Sequence, residues 1–166
     1  MDQAQGAIDA ARAAGADRYA TTEYSAATDA LKNANTAVAA RDYRLALNYA
    51  LESREHAQNA ARDGADAKAR VRVEVDRAVG EITTLVTQGR TRLAAAERAR
   101  VPRPRLKQLA NDLTAADAAL QKASEAVAAG DYLAASAALE GVKERVEKAL
   151  AAIDAATASQ SPRRRR

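Results

Sequence analysis

The chain has 166 residues, which is enough for one ordinary domain or two small helical units. Alanine supplies more than a quarter of the residues, while phenylalanine, tryptophan and cysteine are absent, which excludes an aromatic-rich core, disulfides and thiolate metal sites. The net charge of +4 equals the charge of the four C-terminal arginines, so the rest of the chain is neutral overall.

The first residues predict a short helix over about 2–14, with Ile8 facing inward and Gly15 after its end. This segment has no basic region followed by an apolar one, so it is not typical of a signal peptide. A chain from which such a peptide had been removed would look the same. No apolar run approaches the roughly 20 residues that a membrane-spanning helix needs, and we expect no transmembrane segment.

A nearly repeated string follows: "AVAARDYRLA" at 37–46 and "AVAAGDYLAA" at 126–135. With an offset of 89 residues, 12 of the 21 positions from 26 to 46 are identical. An aspartate before an apolar run is typical of a helix N-cap, so each string predicts a tight corner between two helices. We expect two aspartates to cap the returning helices and two tyrosines to pack at their starts: Asp42, Asp131, Tyr43 and Tyr132.

Small and apolar residues recur at steps of three and four around these corners, as in helices packed like a coiled coil. Before the first corner this seam comprises Tyr24, Ala27, Leu31, Ala34 and Val38. After that corner the same spacing continues without a proline, which predicts one long helix over about 43–100. The alternative is a break at 62–66, with Gly64 as the C-cap.

Two prolines, Pro102 and Pro104, end the long helix. Helices over about 104–129 and 131–157 are predicted to follow. The fold class is therefore all-α: an elongated antiparallel bundle of helical hairpins on a long central helix, with alanine-rich, coiled-coil-like seams.

The domain organisation follows from this pattern. We expect an N-terminal hairpin unit over 1–64 and a C-terminal unit over 65–157, which share the long helix. The last residues, 158–166, have no periodicity and are expected to form a disordered basic tail.

Residues 15–61 contain a Gly-Ala and a Tyr-Ala pair (15–16 and 19–20), spaced Ala and Leu, the Asp-Tyr corner and an alanine-spaced returning helix. This pattern resembles a bacterial family, domain-of-unknown-function family 4398. That family usually has proline after the Tyr-Ala pair, where this chain has Thr21. The resemblance implies an envelope-associated, often lipid-anchored protein of the bacterial periplasm with no established activity; a cytoplasmic location is the alternative.

Basic residues concentrate in the segment 90–107, which we call the basic corner. It contains one acidic residue and seven basic ones: Arg90, Arg92, Arg98, Arg100, Arg103, Arg105 and Lys107. Arginine forks match phosphate and carboxylate groups, so the segment is a candidate polyanion or acidic-partner site. The alternative is a solvated helix end, whose cations favour the negative pole of the helix dipole.

The sequence offers little for catalysis. His56 is the one histidine, and a metal site needs further good ligands. No phosphate-binding loop, nucleophile elbow or zinc-protease motif is present. We therefore expect no enzymatic activity and no cofactor, but a non-catalytic scaffold that binds a protein partner or self-assembles. The alternative function is binding of nucleic acid or an anionic envelope polymer through the basic corner and the arginine tail.

Overall fold

The computed structural model describes residues 1–158, apart from the side chain of Arg105. The expected tail lies outside the described residues except for its first position, Ala158, which belongs to a helix. The described residues contain no strand, so the all-α prediction is confirmed. The helices of this region are α1 (Asp2–Ala13), α2 (Ala16–Tyr19), α3 (Thr21–Ala39), α4 (Tyr43–Arg98), α5 (Arg103–Ala128), α6 (Tyr132–Leu139) and α7 (Val142–Ala158).

The predicted long helix is confirmed, because α4 continues through Gly64. Gly64 is buried, and a Cβ atom added to it would lie 2.9 Å from the Cα of Ala16. The glycine therefore allows α2 to approach α4 closely and does not end the helix. The predicted single helix over 131–157 is wrong, since Gly141 adopts a positive φ of 68° and separates α6 from α7.

The chain divides into two compact units, Met1–Arg70 and Val71–Arg166, and α4 contributes to both. This division lies six residues beyond the expected one. In the first unit α1, α2, α3 and the first part of α4 pack around Ile8 and small alanines, a core set of Ile8, Ala11, Ala16, Ala27, Ala57 and Ala60. Because these side chains are small, the helices contact one another closely.

Polar contacts fix the register of the first unit. The buried hydroxyl of Ser53 donates to the backbone carbonyl of Ala27 over 2.7 Å and ties α4 to α3. The guanidinium of Arg12 on α1 donates to the Tyr24 hydroxyl over 2.8 Å and lies over the Tyr24 ring. The bond from Arg12 connects α1 to the hairpin of α3 and α4, and the bond from Ser53 holds the two helices of that hairpin together.

The second unit has the larger aliphatic core. Its buried residues include Val75, Ile82 and Val86 from α4, which pack with leucines of α5 and with Val146 and Ile153 of α7. An ion pair between Lys143 and Glu81, 2.7 Å long, joins α7 to α4 at the edge of this core. On α5 the leucines that recur at steps of three and four are buried, namely Leu106, Leu109 and Leu113.

The two predicted corners share one backbone geometry. The amide of Asp42 donates to the carbonyl of Ala37, and the amide of Asp131 donates to the carbonyl of Ala126, each over 2.9 Å. A hydrogen bond from an amide to the carbonyl five residues earlier is the signature of the Schellman motif. In this motif the residue just before the donating amide has a left-handed backbone conformation. Gly130 fills that position in the second corner with φ 74°, whereas the first corner places a non-glycine residue there, Arg41 with φ 58°.

Candidate functional site

The capping prediction for the corner aspartates is supported by direct contacts. The Oδ1 atom of Asp42 accepts the amide of Leu45 over 2.9 Å, and that of Asp131 accepts the amide of Ala134 over 3.0 Å. These carboxylates satisfy helix amides and are structural.

The two corner tyrosines differ. Tyr132 is half-buried, with the guanidinium of Arg72 6.0 Å from its ring centre. Tyr43 is 67% exposed, so the expectation that it packs in the seam is wrong. The expectation for Val38 is also wrong, since Val38 is 40% exposed and Ala30 and Ala37 are buried on α3.

Exposed apolar side chains form a line on the first turns of α4. Tyr43, Leu47 and Leu51 are 67, 59 and 46% exposed and lie four residues apart, on one face of the helix. We call this set the α4 stripe. It runs beside the buried positions Ala46 and Ser53, which face α3. Large apolar residues aligned on one exposed face are typical of interaction sites.

The α4 stripe leads into a helix interface within the same unit. Arg54 follows Leu51 by three residues on the same face, and its Nη1 donates to the side-chain carbonyl of Gln3 on α1 over 3.1 Å. From this point on, α1 packs beside α4, and Ile8 and Ala57 share a core. The α4 stripe therefore adjoins the surface of α4 that α1 covers.

Charged groups stand at both ends of the α4 stripe. Arg44 is exposed near its start and Glu55 is exposed just past its end. Eleven residues separate them, which is close to three helical turns, so they lie on the same side of α4. On the other side of the helix His56 Nδ1 lies 2.8 Å from Glu23 Oε2, and this hydrogen bond raises the pKa of His56 above its usual value.

The structure separates the basic corner into two groups. Two of its arginines, which precede the end of α4, form ion pairs within the second unit. The Nη2 of Arg90 bonds to Asp117 on α5 over 2.5 Å, and Arg92 bonds to Asp154 on α7. These two side chains therefore hold helices together.

Four members of the basic corner are exposed and form no ion pair within the described residues: Arg98, Arg100, Arg103 and Lys107. Three of them line a groove with Val101 and Pro102, where α4 ends and α5 begins. The first turn of α5 contains no acidic residue, so cations stand at the positive pole of that helix. The side chain of Arg105, the seventh predicted residue, lies outside the described part.

Other features of the described residues bear on function. They contain no group of three or more His, Asp or Glu side chains that could hold a metal ion. None of their helices has both the length and the apolar character needed to cross a bilayer.

Comparison with known proteins gives one family. The model of a domain of unknown function, DUF4398, matches residues 1–75. The predicted resemblance to that family is confirmed over this part of the chain, which includes the whole α4 stripe. Neither the curated proteins nor the solved structures include a match to this chain.

Proposed function

We propose that this chain, whose residues 1–75 match DUF4398, is a non-catalytic interaction protein that binds protein through the α4 stripe. The observation that carries the proposal is the exposure of Tyr43, Leu47 and Leu51 on one helix face. Because full burial of such a side chain contributes about 1.5–3 kcal/mol and these are about half exposed, each forgoes roughly 0.7–2 kcal/mol in water. A partner surface that covers them recovers this free energy.

The rest of the unit supports a scaffold for that surface. Beside the stripe, on the same turns of α4, Ala46 and Ser53 are buried and Ser53 bonds to α3, so the stripe is held on a packed pair of helices. The one histidine is held by Glu23, and the corner aspartates cap helices, which gives these polar groups structural partners. We propose the bacterial envelope as the location, because the family that residues 15–61 resemble implies it; a cytoplasmic location is the alternative.

The proposal is tested by photo-cross-linking in intact producing cells. A benzoylphenylalanine is introduced at position 47, and separately at position 73, where Val73 is equally apolar and 67% exposed but lies in the second unit. We expect a defined cross-linked protein product from position 47 and not from position 73. Equal, diffuse labelling from both positions would contradict the proposal.

A second candidate function is polyanion binding at the basic corner. It is favoured by Arg100, Arg103 and Lys107, which line one groove at the positive pole of α5. The groove is lined by one acidic side chain, Glu97, against these three basic ones, none of which forms an ion pair within the described residues, so a multivalent anion would gain from binding there.

This candidate has its own test. The double variant with Arg103→Glu and Lys107→Glu is compared with a control that reverses Lys122 and Lys148, which are exposed on α5 and α7. Binding to a heparin column and to single-stranded DNA is measured over a salt series. If the basic corner is a polyanion site, the logarithm of the association constant for single-stranded DNA should fall by about 0.7 per phosphate contact for each tenfold increase in salt. The corner variant should lose affinity, and the control variant should not. Equal losses in both variants would show a nonspecific charge effect.

A further inference from the structure

We infer that the α4 stripe docks against the α4 stripe of a second copy of this chain, with the two α4 segments antiparallel. The inference rests on the proposed function, since it names the partner of that surface. It is drawn from the self-complementary order of apolar and charged residues along three turns of α4.

The apolar part of the surface pairs with a copy of itself when the two α4 segments run antiparallel. Tyr43 precedes Leu47 by four residues and Leu51 follows it by four, which gives a line of about 12 Å at 1.5 Å per residue. A twofold axis level with residue 49 places each Leu47 opposite the Leu51 of the other copy, and it brings Arg44 to within about 1.5 Å, along the helix, of the level of the other copy's Glu55. A surface that repeats on both partners is the requirement for an isologous interface.

The charges select the antiparallel direction. Arg44 and Glu55 are both exposed, lie on one side of the stripe, and form no ion pair within the described residues. In an antiparallel pair the basic end of one copy meets the acidic end of the other, so Arg44 and Glu55 attract each other twice. A parallel pair would bring Arg44 next to Arg44 and Glu55 next to Glu55, which is repulsive.

Continuity with α1 supports a helix as the occupant. Beyond Leu51 the adjoining side of α4 is covered by a helix, with Gln3 of α1 bonded to Arg54, whereas Gln58, in line with the stripe, is exposed. The small residues of that interface let helices approach closely, and Ala50 beside the stripe is small as well. A second α4 segment extends this packing over the exposed turns with the same geometry.

The first experiment is a dilution series of the full chain by sedimentation equilibrium. We expect a reversible dimer whose dissociation constant rises at least about tenfold in Leu47→Asp, as for a central apolar contact. Val73→Asp is the matched control, because it alters an equally exposed valine outside the stripe and should leave the constant unchanged. Circular dichroism of both variants verifies that the helices are retained.

The second experiment tests the direction. Arg44→Glu and Glu55→Arg each place like charges together in an antiparallel dimer, and each should weaken association about threefold to tenfold at low salt. Mixing the two variants restores opposite charges at both contacts and should return the affinity to the wild-type value. Single variants that dimerise like wild type would overturn the antiparallel arrangement.

The cross-link at position 47 separates this inference from the proposed function. A product of twice the chain mass, containing only this sequence, supports the second copy. A product with a different protein, together with a chain that stays monomeric on concentration, overturns the inference and leaves the α4 stripe as a protein-binding surface. A monomer with no specific cross-link overturns both.

Discussion

Gly64 provides the sharpest test of the packing, because two effects of opposite sign meet there. In a helix interior, replacing glycine with alanine stabilises by about 0.8–1.0 kcal/mol through helix propensity. At Gly64, however, the new Cβ would lie 2.9 Å from the Cα of Ala16, 3.1 Å from its nitrogen and 3.2 Å from its Cβ. Ordinary carbon contacts are about 3.5–4.0 Å, so α2 would have to move.

The magnitude follows from these distances. The obstructing atoms belong mainly to backbone, which cannot turn away as a long side chain can, and overpacking of this kind costs about 1–3 kcal/mol. Subtracting the propensity gain leaves Gly64→Ala destabilised by roughly 0–2 kcal/mol. Gly6 in α1 and Gly80 in α4 have no atom within 4 Å of an added Cβ. Gly6→Ala and Gly80→Ala should therefore be stabilised.

Urea unfolding measures the difference. Four of the five tyrosines lie in the first unit, so tyrosine fluorescence reports chiefly on the unit that contains Gly6 and Gly64. We expect the urea midpoint to rise for Gly6→Ala and to stay level or fall for Gly64→Ala at an unchanged slope. Circular dichroism at 222 nm follows Gly80→Ala. A midpoint for Gly64→Ala that rises as far as that of Gly6→Ala would refute the close approach of α2 and α4.

Three further predictions concern the first unit. Arg41→Gly should stabilise by about 1 kcal/mol in urea unfolding, because Arg41 occupies the left-handed position that Gly130 fills in the second corner; an unchanged or lower midpoint would contradict this. Thr21→Pro should stabilise by about 0.4–1 kcal/mol in the same assay, since Thr21 is the first residue of α3 and proline suits that position, whereas loss of helix by circular dichroism would refute it. The pKa of His56, measured by NMR titration, should lie above 6.5 and fall in Glu23→Gln. Because the pKa of His56 is raised in the folded state, the stabilisation by its bond to Glu23 is fully present below pH 6.5 and is lost as the pH rises through the folded-state pKa. A urea midpoint that increases over this pH range would contradict the bond.

Much of the fold was predictable because the seam spacing is regular over many turns. The spacing predicts α4 well, since the small residues that recur at steps of three and four along its first turns are buried, among them Ala46, Ser53, Ala57 and Ala60. It fails at Tyr43, because a three-four pattern accepts any apolar residue at the right step and does not show where a partner helix ends.

Local backbone geometry limited two other predictions. Between α6 and α7 the backbone turns at Glu140, with ψ 127°, and Gly141, with φ 68°, although the surrounding residues keep a helical pattern. Gly64, by contrast, was open to interpretation as a helix end and instead permits a close contact with Ala16. The sequence alone does not distinguish a glycine that is required for a positive φ from one that is required because a side chain would not fit.

The candidate surfaces depend on tertiary contacts that no local pattern contains. Arg90 and Arg92 belong to the basic segment by sequence, but their carboxylate partners are 27 and 62 residues away. The α4 stripe could have been found from its four-residue spacing beside the alanine seam. Its exposure, however, depends on how far α1 extends along α4.

The shared helix also has a consequence for how the chain acquires its structure. Starting a helix is costly, with a nucleation constant of about 0.001, whereas extending one adds a hydrogen bond for each residue fixed. α4 runs without interruption across the boundary between Arg70 and Val71. When one unit has folded, its part of α4 is therefore already helical at that boundary. The second unit to fold then elongates an existing helix and avoids a nucleation penalty of roughly a thousandfold.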